Sequence, residues 1–527
     1  MAADCGSGLS APGSEDRVGR PSNPRPSGIH ELFEEQVHRT PFATSVVLGK
    51  ERISYRELNE RANRIAHHLF RPGACREAAI GVCLQRSLTT VATLLGVLKA
   101  GGSFVFLEPE TPVERLAFIL DDAGVSLLVT RRDQHGELAA AAACPTVCLD
   151  EEAVDIDGRS ASDPQVQMHP ARRAYITYTS GSTGLPKGVQ SLHGGVVNYL
   201  RYLQAARHIR SNDVALQLAP LSFDASVRDI FGPLSMGACV VLMPDGSTRD
   251  PGMLVQAIQS ERVTCLPSAG PSILESLCTH LSARGTVLDG VQRILISGEA
   301  LRPALVAELR RWLGREVCLV NHYGPTECTM TSTFHLVDDE DLVGAIPLGR
   351  PIPNVCAYVL DSRLRPVPAG VEGEVYIGGT GVTRGYINRP ALTATSFLPD
   401  PFGPTPGGRL YRTGDRGRLR ADGLLEFRGR LDRQVKIRGA RVELEEVEAQ
   451  LEACTGVRRA AVVLRRDADG RLGLIAYIVG RGDAGDLVAA TRRELAARLP
   501  AYMVPSRFVV LDALPLTLTG KVDRRAL

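Results

Sequence analysis

The sequence predicts an α/β fold. It is laid out as a large N-terminal domain of mixed sheets with flanking helices, a β-rich subdomain, and a small C-terminal α+β domain. Three observations carry this. Between residues 79 and 320, short apolar strands alternate with helical stretches, the pattern of strand–helix–strand units. Beyond about Pro353 the strands shorten and are separated by Gly, Pro and Asp, which suits a barrel or antiparallel subdomain. After the polar run Gly429–Lys436 the pattern restarts as a self-contained helix–strand–strand–helix–strand set.

In chain order, residues 1–28 are half Gly, Pro or Ser and are expected to be a disordered lead-in. Ile29–His38 is a short helical pattern, and Ile53–Leu69 is a strand turning into an amphipathic helix. Ala79–Leu84, Ser87–Lys99 and Ser103–Leu107 form one strand–helix–strand unit. Further strands are expected at Leu127–Thr130, Ala174–Tyr178, Val214–Leu218, Cys239–Leu242, Thr264–Leu266, Arg293–Ser297 and Glu316–Val320. Pro251–Ser260 and Pro303–Trp312 are among the helices between them. The β-rich part reads Cys356–Leu360, Gly373–Ile377, Arg409–Tyr411 and Leu424–Phe427. The last domain reads Leu444–Ala453, Ala460–Leu464, Leu472–Ile478, Asp486–Leu499 and Arg507–Leu511. The domain boundaries are placed at 29–431 and 432–527.

Composition narrows the function classes. The 527 residues are 44% hydrophobic and 23% charged, close to the globular mean, and their length fits about three domains. A net charge of +2 gives no global basic field, so neither nucleic acid nor a membrane surface is the expected partner. The apolar runs are too short for a transmembrane helix, and residues 1–28 lack the apolar segment of a secretory signal. Twelve scattered cysteines show neither zinc spacing nor a disulfide framework. A cytoplasmic location with reduced thiols is expected.

Of the 61 basic residues only five are Lys: Lys50, Lys99, Lys187, Lys436 and Lys521. The last three lie in Gly-rich segments, where a compact, flexible charge differs in use from the planar Arg fork. The strongest motif is Tyr178-Thr-Ser-Gly-Ser-Thr-Gly-Leu-Pro-Lys-Gly188, directly after a strand. Its glycines let backbone N–H groups approach an anion, its Ser and Thr add donors, and its Lys neutralises charge. The spacing is not that of a Walker A loop, since Gly follows Lys187. A plain surface hairpin is the competing reading.

Here the chain resembles the adenylate-forming superfamily, specifically the adenylation domains of nonribosomal peptide synthetases. The resemblance runs from Ile29 to Leu527 through Ile53–Leu58, Leu98–Gly102, the phosphate loop, Phe223–Ser226, Asn321–Glu327 and Gly373–Pro390. It continues through Tyr411–Asp415, Gly429–Glu443, Leu499–Met503 and Leu516–Lys521. It implies ATP and Mg²⁺ as cofactors. Thr179, Ser180, Gly181, Ser182, Thr183, Gly184 and Lys187 would grip phosphates, Asn321 and Tyr323 would line the adenine, and Thr326 would touch phosphate. Glu327 would hold the metal, and Asp415 with Arg430 the ribose. Lys521 would be the catalytic cation, bridging carboxylate and α-phosphate. Asp432 would be the hinge of a mobile C-terminal domain that turns Lys436 and Gly439 toward the site for a second, thioester-forming step. A solvated basic face is the competing account of Arg428–Arg441.

The expected reaction is amino-acid activation as aminoacyl-AMP, then transfer to the phosphopantetheine thiol of a carrier protein; since no carrier segment follows Lys521, the carrier acts in trans or the sequence is cut from a larger synthetase. An acyl-CoA ligase using free coenzyme A and a non-catalytic nucleotide-binding module are the alternatives. The family alignment sets Phe223, Asp224, Ala225, Arg228, Leu295, Ser297, His322, Met330 and Thr331 around the acyl pocket. Asp224 would meet the substrate ammonium. Arg228 stands where the family often has an aromatic or apolar residue. If it points inward it favours an acid-bearing substrate, and if it turns to Asp229 it does not. A polar amino acid is expected, with a β-amino acid left open.

Overall fold

The alternation of strands and helices folds into two large sheets that share their helices. The computed structural model describes residues 27–69, 77–181, 184–437, 439–466, 472–480, 484–517 and 521–527. Except for Ser27 and Gly28, the expected lead-in lies outside the described residues, and so do Ser182 and Thr183 of the phosphate loop.

The nine-stranded sheet has a parallel centre and antiparallel edges. From one edge to the other its strands are Arg350–Pro351, Thr333–Leu336, Cys318–Tyr323, Arg293–Ile296, Cys265–Ala269, Val214–Leu216, Cys239–Leu242, Thr44–Leu48 and Glu51–Ser54. The six-stranded sheet runs Thr146–Cys148, Val125–Thr130, Ala79–Cys83, Ser103–Leu107, Arg173–Thr179 and Lys187–Leu192; only the last is antiparallel to its neighbour. Strands buried on both faces read as continuous apolar runs, which is why Ala79–Cys83 and Ser103–Leu107 are legible from sequence.

Helix Leu88–Lys99, capped by the Ser87 hydroxyl accepting the Thr90 N–H at 3.1 Å, is buried along its whole length. That burial takes in Lys99, whose ammonium pairs with Glu34 and, at 2.9 Å, with Asp163. A buried cation persists only when so paired. Lys99 is therefore a packing residue, which explains one of the five lysines.

The β-rich part is an antiparallel five-stranded sheet of Val355–Leu360, Gly373–Gly379, Phe397–Pro399, Arg409–Leu419 and Leu425–Arg430. The strand expected at Arg409–Tyr411 continues to Leu419, because Gly414 adopts φ +72° and a register shift between Arg416 and Gly417 absorbs the polar stretch. Beyond it, the hairpin Val435–Ile437/Ala440–Val442, the sheet Val457–Arg466, Leu472–Gly480 and Arg507–Val510, and helices Leu444–Glu452 and Ala484–Ala496 share one core. The strand expected at Ala460–Leu464 is longer at both ends, since its partner Leu472–Gly480 pairs along the full length.

Four buried histidines tie the large domain to neutral pH. Burial pushes His193 down to about 3 and His208 to about 4, and His30 and His322 also fall well below the usual range. His193 Nδ1 accepts the Ile29 N–H at 3.2 Å, so it is held neutral at the start of the first helix. The unfolded chain binds these protons near pH 6.5, whereas the folded chain does so only much lower. Their contribution is complete above about pH 6.5 and is lost as pH falls, by about 1.4 kcal/mol per pH unit for each fully shifted histidine. Urea unfolding at pH 7.5, 6.0 and 5.0 checks this. His193→Asn should flatten the pH slope, and an unchanged slope contradicts the assignment.

Candidate active site

The phosphate loop joins two antiparallel strands, with Thr179 paired to Lys187. It is thus a hairpin in topology, but its Lys does not face solvent. Lys187 is buried, lies 3.8 Å from Glu327 Oε1 and sits over the Tyr386 ring at 4.8 Å. Burial, helped by Arg441, lowers its ammonium to about 8.

Glu327 occupies a 3₁₀ turn, Thr326–Cys328, after the strand Cys318–Tyr323. The next two residues, Thr329 and Met330, both adopt left-handed backbone, at φ 58° and 67°. Gly324 permits this return, because a Cβ there would lie 2.7 Å from Met330 O and 2.8 Å from Ser332 N. The tight loop buries the Glu327 carboxylate completely. Burial alone would protonate it, yet Arg441, Lys187 and the Tyr386 hydroxyl outweigh that and hold it at about 2. Tyr386 donates to Oε1 at 2.7 Å, and Arg441 Nη1 reaches both oxygens at 3.0 and 2.8 Å.

A second cluster lies along the same crevice. Tyr323 donates to Asp415 Oδ2 at 2.5 Å, Arg430 pairs with Asp415, and the same guanidinium holds Asp432 at 2.6 Å. Asn321 spends its amide on the Pro347 carbonyl at 2.7 Å. With Gly298, Glu299, His322, Gly324 and Lys436, the residues Asn321, Tyr323, Asp415 and Arg430 line a cavity of about 1690 Å³.

The expected acyl-pocket residues converge at the carboxyl ends of parallel strands, where α/β sheets hold ligands. Asp224 and Ala225 open the helix Ala225–Met236, and Arg228 follows one turn on. Ser297 follows Leu295 past the strand Arg293–Ile296, and Thr331 follows Met330. Burial raises the Asp224 carboxyl, opposed by a hydrogen bond from Thr326. Phe223 meets Tyr502 edge-on at 6.2 Å.

Arg228 is buried among protein hydroxyls and does not pair with Asp229; of the expected acyl-pocket residues only His322 lines the large cavity. Its Nε and Nη2 donate to Ser268 and Ser297, each at 2.7 Å, and Nη1 makes longer contacts with His322 Nδ1, Tyr199 and Thr331 at 3.3, 3.4 and 3.4 Å. Its neighbour Asp229 is turned to the Leu218 and Ala219 N–H groups, both at 2.9 Å. Among the described residues no carboxylate forms an ion pair with Arg228.

The C-terminal residues close over the site. Gly439, at φ +80°, donates its N–H to Glu299 Oε1 at 2.7 Å, and Lys436 lines the cavity. Ser180 bonds the backbone of both Arg441 and Glu443 at 2.9 Å. Glu446 accepts the Gly181 N–H at 2.9 Å. Lys521 is not brought to the site in this arrangement. It is exposed, and its carbonyl and N–H pair with Thr517 across a turn. Arg441, Glu299, Glu446 and Ser268 belong to the site although sequence reasoning passed over them. The solvated-face account of Arg428–Arg441 fails for Arg430 and Arg441, which are paired with carboxylates of the crevice.

Residues 33–387 match the family model for AMP-binding enzymes, and residues 446–521 match that for the AMP-binding enzyme C-terminal domain. The chain belongs to the AMP-binding enzyme family. It is 41% identical over 501 residues to the dimodular nonribosomal peptide synthase of Bacillus subtilis, covering 95% of this chain and 21% of that protein. It is 40% identical over 501 residues to tyrocidine synthase 3 of Brevibacillus parabrevis, covering 95% and 8%. The chain thus spans a small part of the curated relatives it matches. Among solved structures it resembles holo-PA1221, a nonribosomal peptide synthetase protein containing adenylation and carrier (PCP) domains. That match has TM-score 0.83 and 28% identity, over 95% of this chain and 83% of that one. It also resembles the fused adenylation–PCP di-domain NpsA-ThdA from Klebsiella oxytoca, at TM-score 0.80 and 26% identity over 92% and 93%. The resemblance read from the motifs and the mixed α/β architecture agree with these findings. Among the described residues no helix is long and apolar enough to cross a membrane.

Proposed function

We propose that the chain is an amino-acid-adenylating ligase working in two steps. In the first, a substrate carboxylate oxygen attacks the α-phosphorus of ATP, the bond to the bridging oxygen breaks, and aminoacyl-AMP and pyrophosphate form. In the second, the phosphopantetheine thiol of a carrier protein or carrier domain attacks the acyl carbon, loses its proton and releases AMP. The observation that supports this best is a pair of linked charge clusters. Arg441 holds Glu327 beside Lys187, and its charge also acts on Arg430 of the Tyr323–Asp415–Arg430 cluster, which lines the large cavity, so phosphates and metal would have one seat and base and ribose another.

Glu327 suits Mg²⁺, a hard ion that takes oxygen ligands. Among the described residues no group of three His, Cys, Asp or Glu side chains is placed to hold a metal alone. The remaining ligands would be phosphate oxygens and water, and the metal would supply charge stabilisation at the phosphates. Arg441 holds Glu327 here, so the nucleotide-loaded state requires Arg441 to leave. With Lys436 lining the cavity, Gly439 bonded to Glu299 of its wall and Lys521 outside it, this arrangement fits the acyl-transfer step, and Asp432, Lys436 and Gly439 take the hinge and thiol-channel roles.

The substrate is an amino acid. Its ammonium would relieve the buried Asp224 carboxylate, and an acidic side chain would satisfy Arg228, whose acceptors are all neutral. Pyrophosphate exchange over acidic, neutral-polar and apolar amino acids tests this with wild type and Arg228→Ala. Acidic amino acids should lead, and the variant should lose that preference by tenfold or more, on the scale of about 1.5–3 kcal/mol for a hydrogen bond to a charge. An apolar favourite, or a preference untouched by Arg228→Ala, refutes the pocket. Comparing carrier protein with coenzyme A as acceptor separates the acyl-CoA ligase reading.

A further inference from the structure

Behind Arg228 lies a one-way chain of buried hydrogen bonds that leaves the acyl pocket at His322 and continues to Tyr202 and His208. Arg228 Nη1 meets His322 Nδ1 at 3.3 Å, His322 Nε2 meets the Tyr202 hydroxyl at 3.3 Å, and the same hydroxyl meets His208 Nε2 at 2.9 Å. All four residues are buried, and Phe334 packs on both Tyr202 and His208.

The guanidinium fixes the direction. Arginine can only donate, so His322 Nδ1 must accept and its proton sits on Nε2. That proton goes to the Tyr202 oxygen, which leaves the Tyr202 hydrogen for His208 Nε2. Each donor between Arg228 and His208 Nε2 then has an acceptor, and both imidazoles are neutral, with the His208 proton on Nδ1. Burial keeps them so, with the Arg228 charge adding to the effect at His322 and the Arg293 charge at His208.

The chain matters because of how Arg228 is held. Ser268 and Ser297 pin Nε and Nη2 at 2.7 Å, while Nη1 has only contacts of 3.3–3.4 Å. Nη1 is therefore the nitrogen with most to gain from a substrate oxygen. Without the Tyr202 hydroxyl, His322 can place its proton on Nδ1 and turn an N–H toward the guanidinium, a repulsive contact in a low-dielectric site.

Building on the acidic-substrate reading above, we infer that Tyr202 and His208 are positioning residues for substrate selection, holding His322 as the acceptor that orients Arg228. They touch no substrate and act through His322.

The test uses pyrophosphate exchange with L-aspartate against L-asparagine and L-glutamate against L-glutamine, pairs that differ only in side-chain charge. Tyr202→Phe removes a single oxygen. It should cut the acid-over-amide ratio of kcat/KM about five- to tenfold, through KM for the acid rather than kcat. His208→Leu should reproduce this, and His208→Gln, whose amide oxygen can accept from Tyr202, should restore the ratio. A fall shared equally by all four substrates means a merely structural role and overturns the inference. So does an unchanged ratio in Tyr202→Phe when Arg228→Ala abolishes it; the pocket reading then survives alone. If wild type shows no acid preference, or Arg228→Ala leaves it intact, the pocket reading and the relay fall together.

Discussion

Replacing Lys521 by alanine should lower amino-acid-dependent pyrophosphate exchange by about 10²–10³-fold, the scale for losing one preorganised charge donor. ATP binding should change far less, because Lys187, Tyr323 and Asp415 remain in place. The effect should also be selective between steps. Here Lys521 is exposed at a turn while Lys436 lines the cavity. For Lys521 to reach the carboxylate and the α-phosphate, the C-terminal residues must turn about the segment near Asp432. On the function proposed above, release of acyl groups from preformed aminoacyl-AMP to a carrier thiol would use the arrangement described here. It should therefore run at near-normal speed in Lys521→Ala. Pyrophosphate exchange near wild type would remove Lys521 from the chemistry, and equal loss in both steps would remove the rotation.

Much of this architecture is legible in sequence because it is local. Parallel strands buried on both faces announce themselves as apolar runs, and the phosphate loop as a Gly/Ser/Thr string ending in Lys187. The scarcity of lysine is a useful pointer, though an uneven one. Lys187 lies beside Glu327 and Lys436 lines the large cavity, whereas Lys99 is a buried ion-pair partner of Glu34 and Asp163. What sequence does not supply is pairing across long separations. Arg441 lies 114 residues from Glu327, inside a basic run that equally suits a solvated face. Ser268 sits at the end of an apolar strand, and its hydroxyl acquires meaning only when Arg228, 40 residues earlier, is turned onto it. In sequence the direction of Arg228 is open between Asp229 and the pocket. In the structure Asp229 Oδ2 accepts the Leu218 and Ala219 N–H groups, and Ser268 and Ser297 take the Arg228 guanidinium.

The complementary loss is expected in Gly439→Leu, which should slow acyl transfer to the carrier thiol by about 10²-fold while sparing adenylation. Gly439 is left-handed at φ +80°, and a Cβ built there meets nothing within 4 Å, so in this arrangement a larger side chain enters open space beside Glu299 rather than clashing with protein. That open space is where a pantetheine arm would pass. Gly439→Ala carries the same backbone strain with little bulk, so it separates strain from obstruction. A transfer rate as low in Ala as in Leu would point to strain alone. A proline at Asp432 is a less clean probe of the hinge, since the Asp432 carboxylate holds Arg430, and Arg430 in turn holds Asp415. Losing that pair would injure nucleotide binding as well as rotation. Gly439→Leu leaves those contacts alone. Normal transfer in it would mean that the thiol approaches the acyl-adenylate by another route.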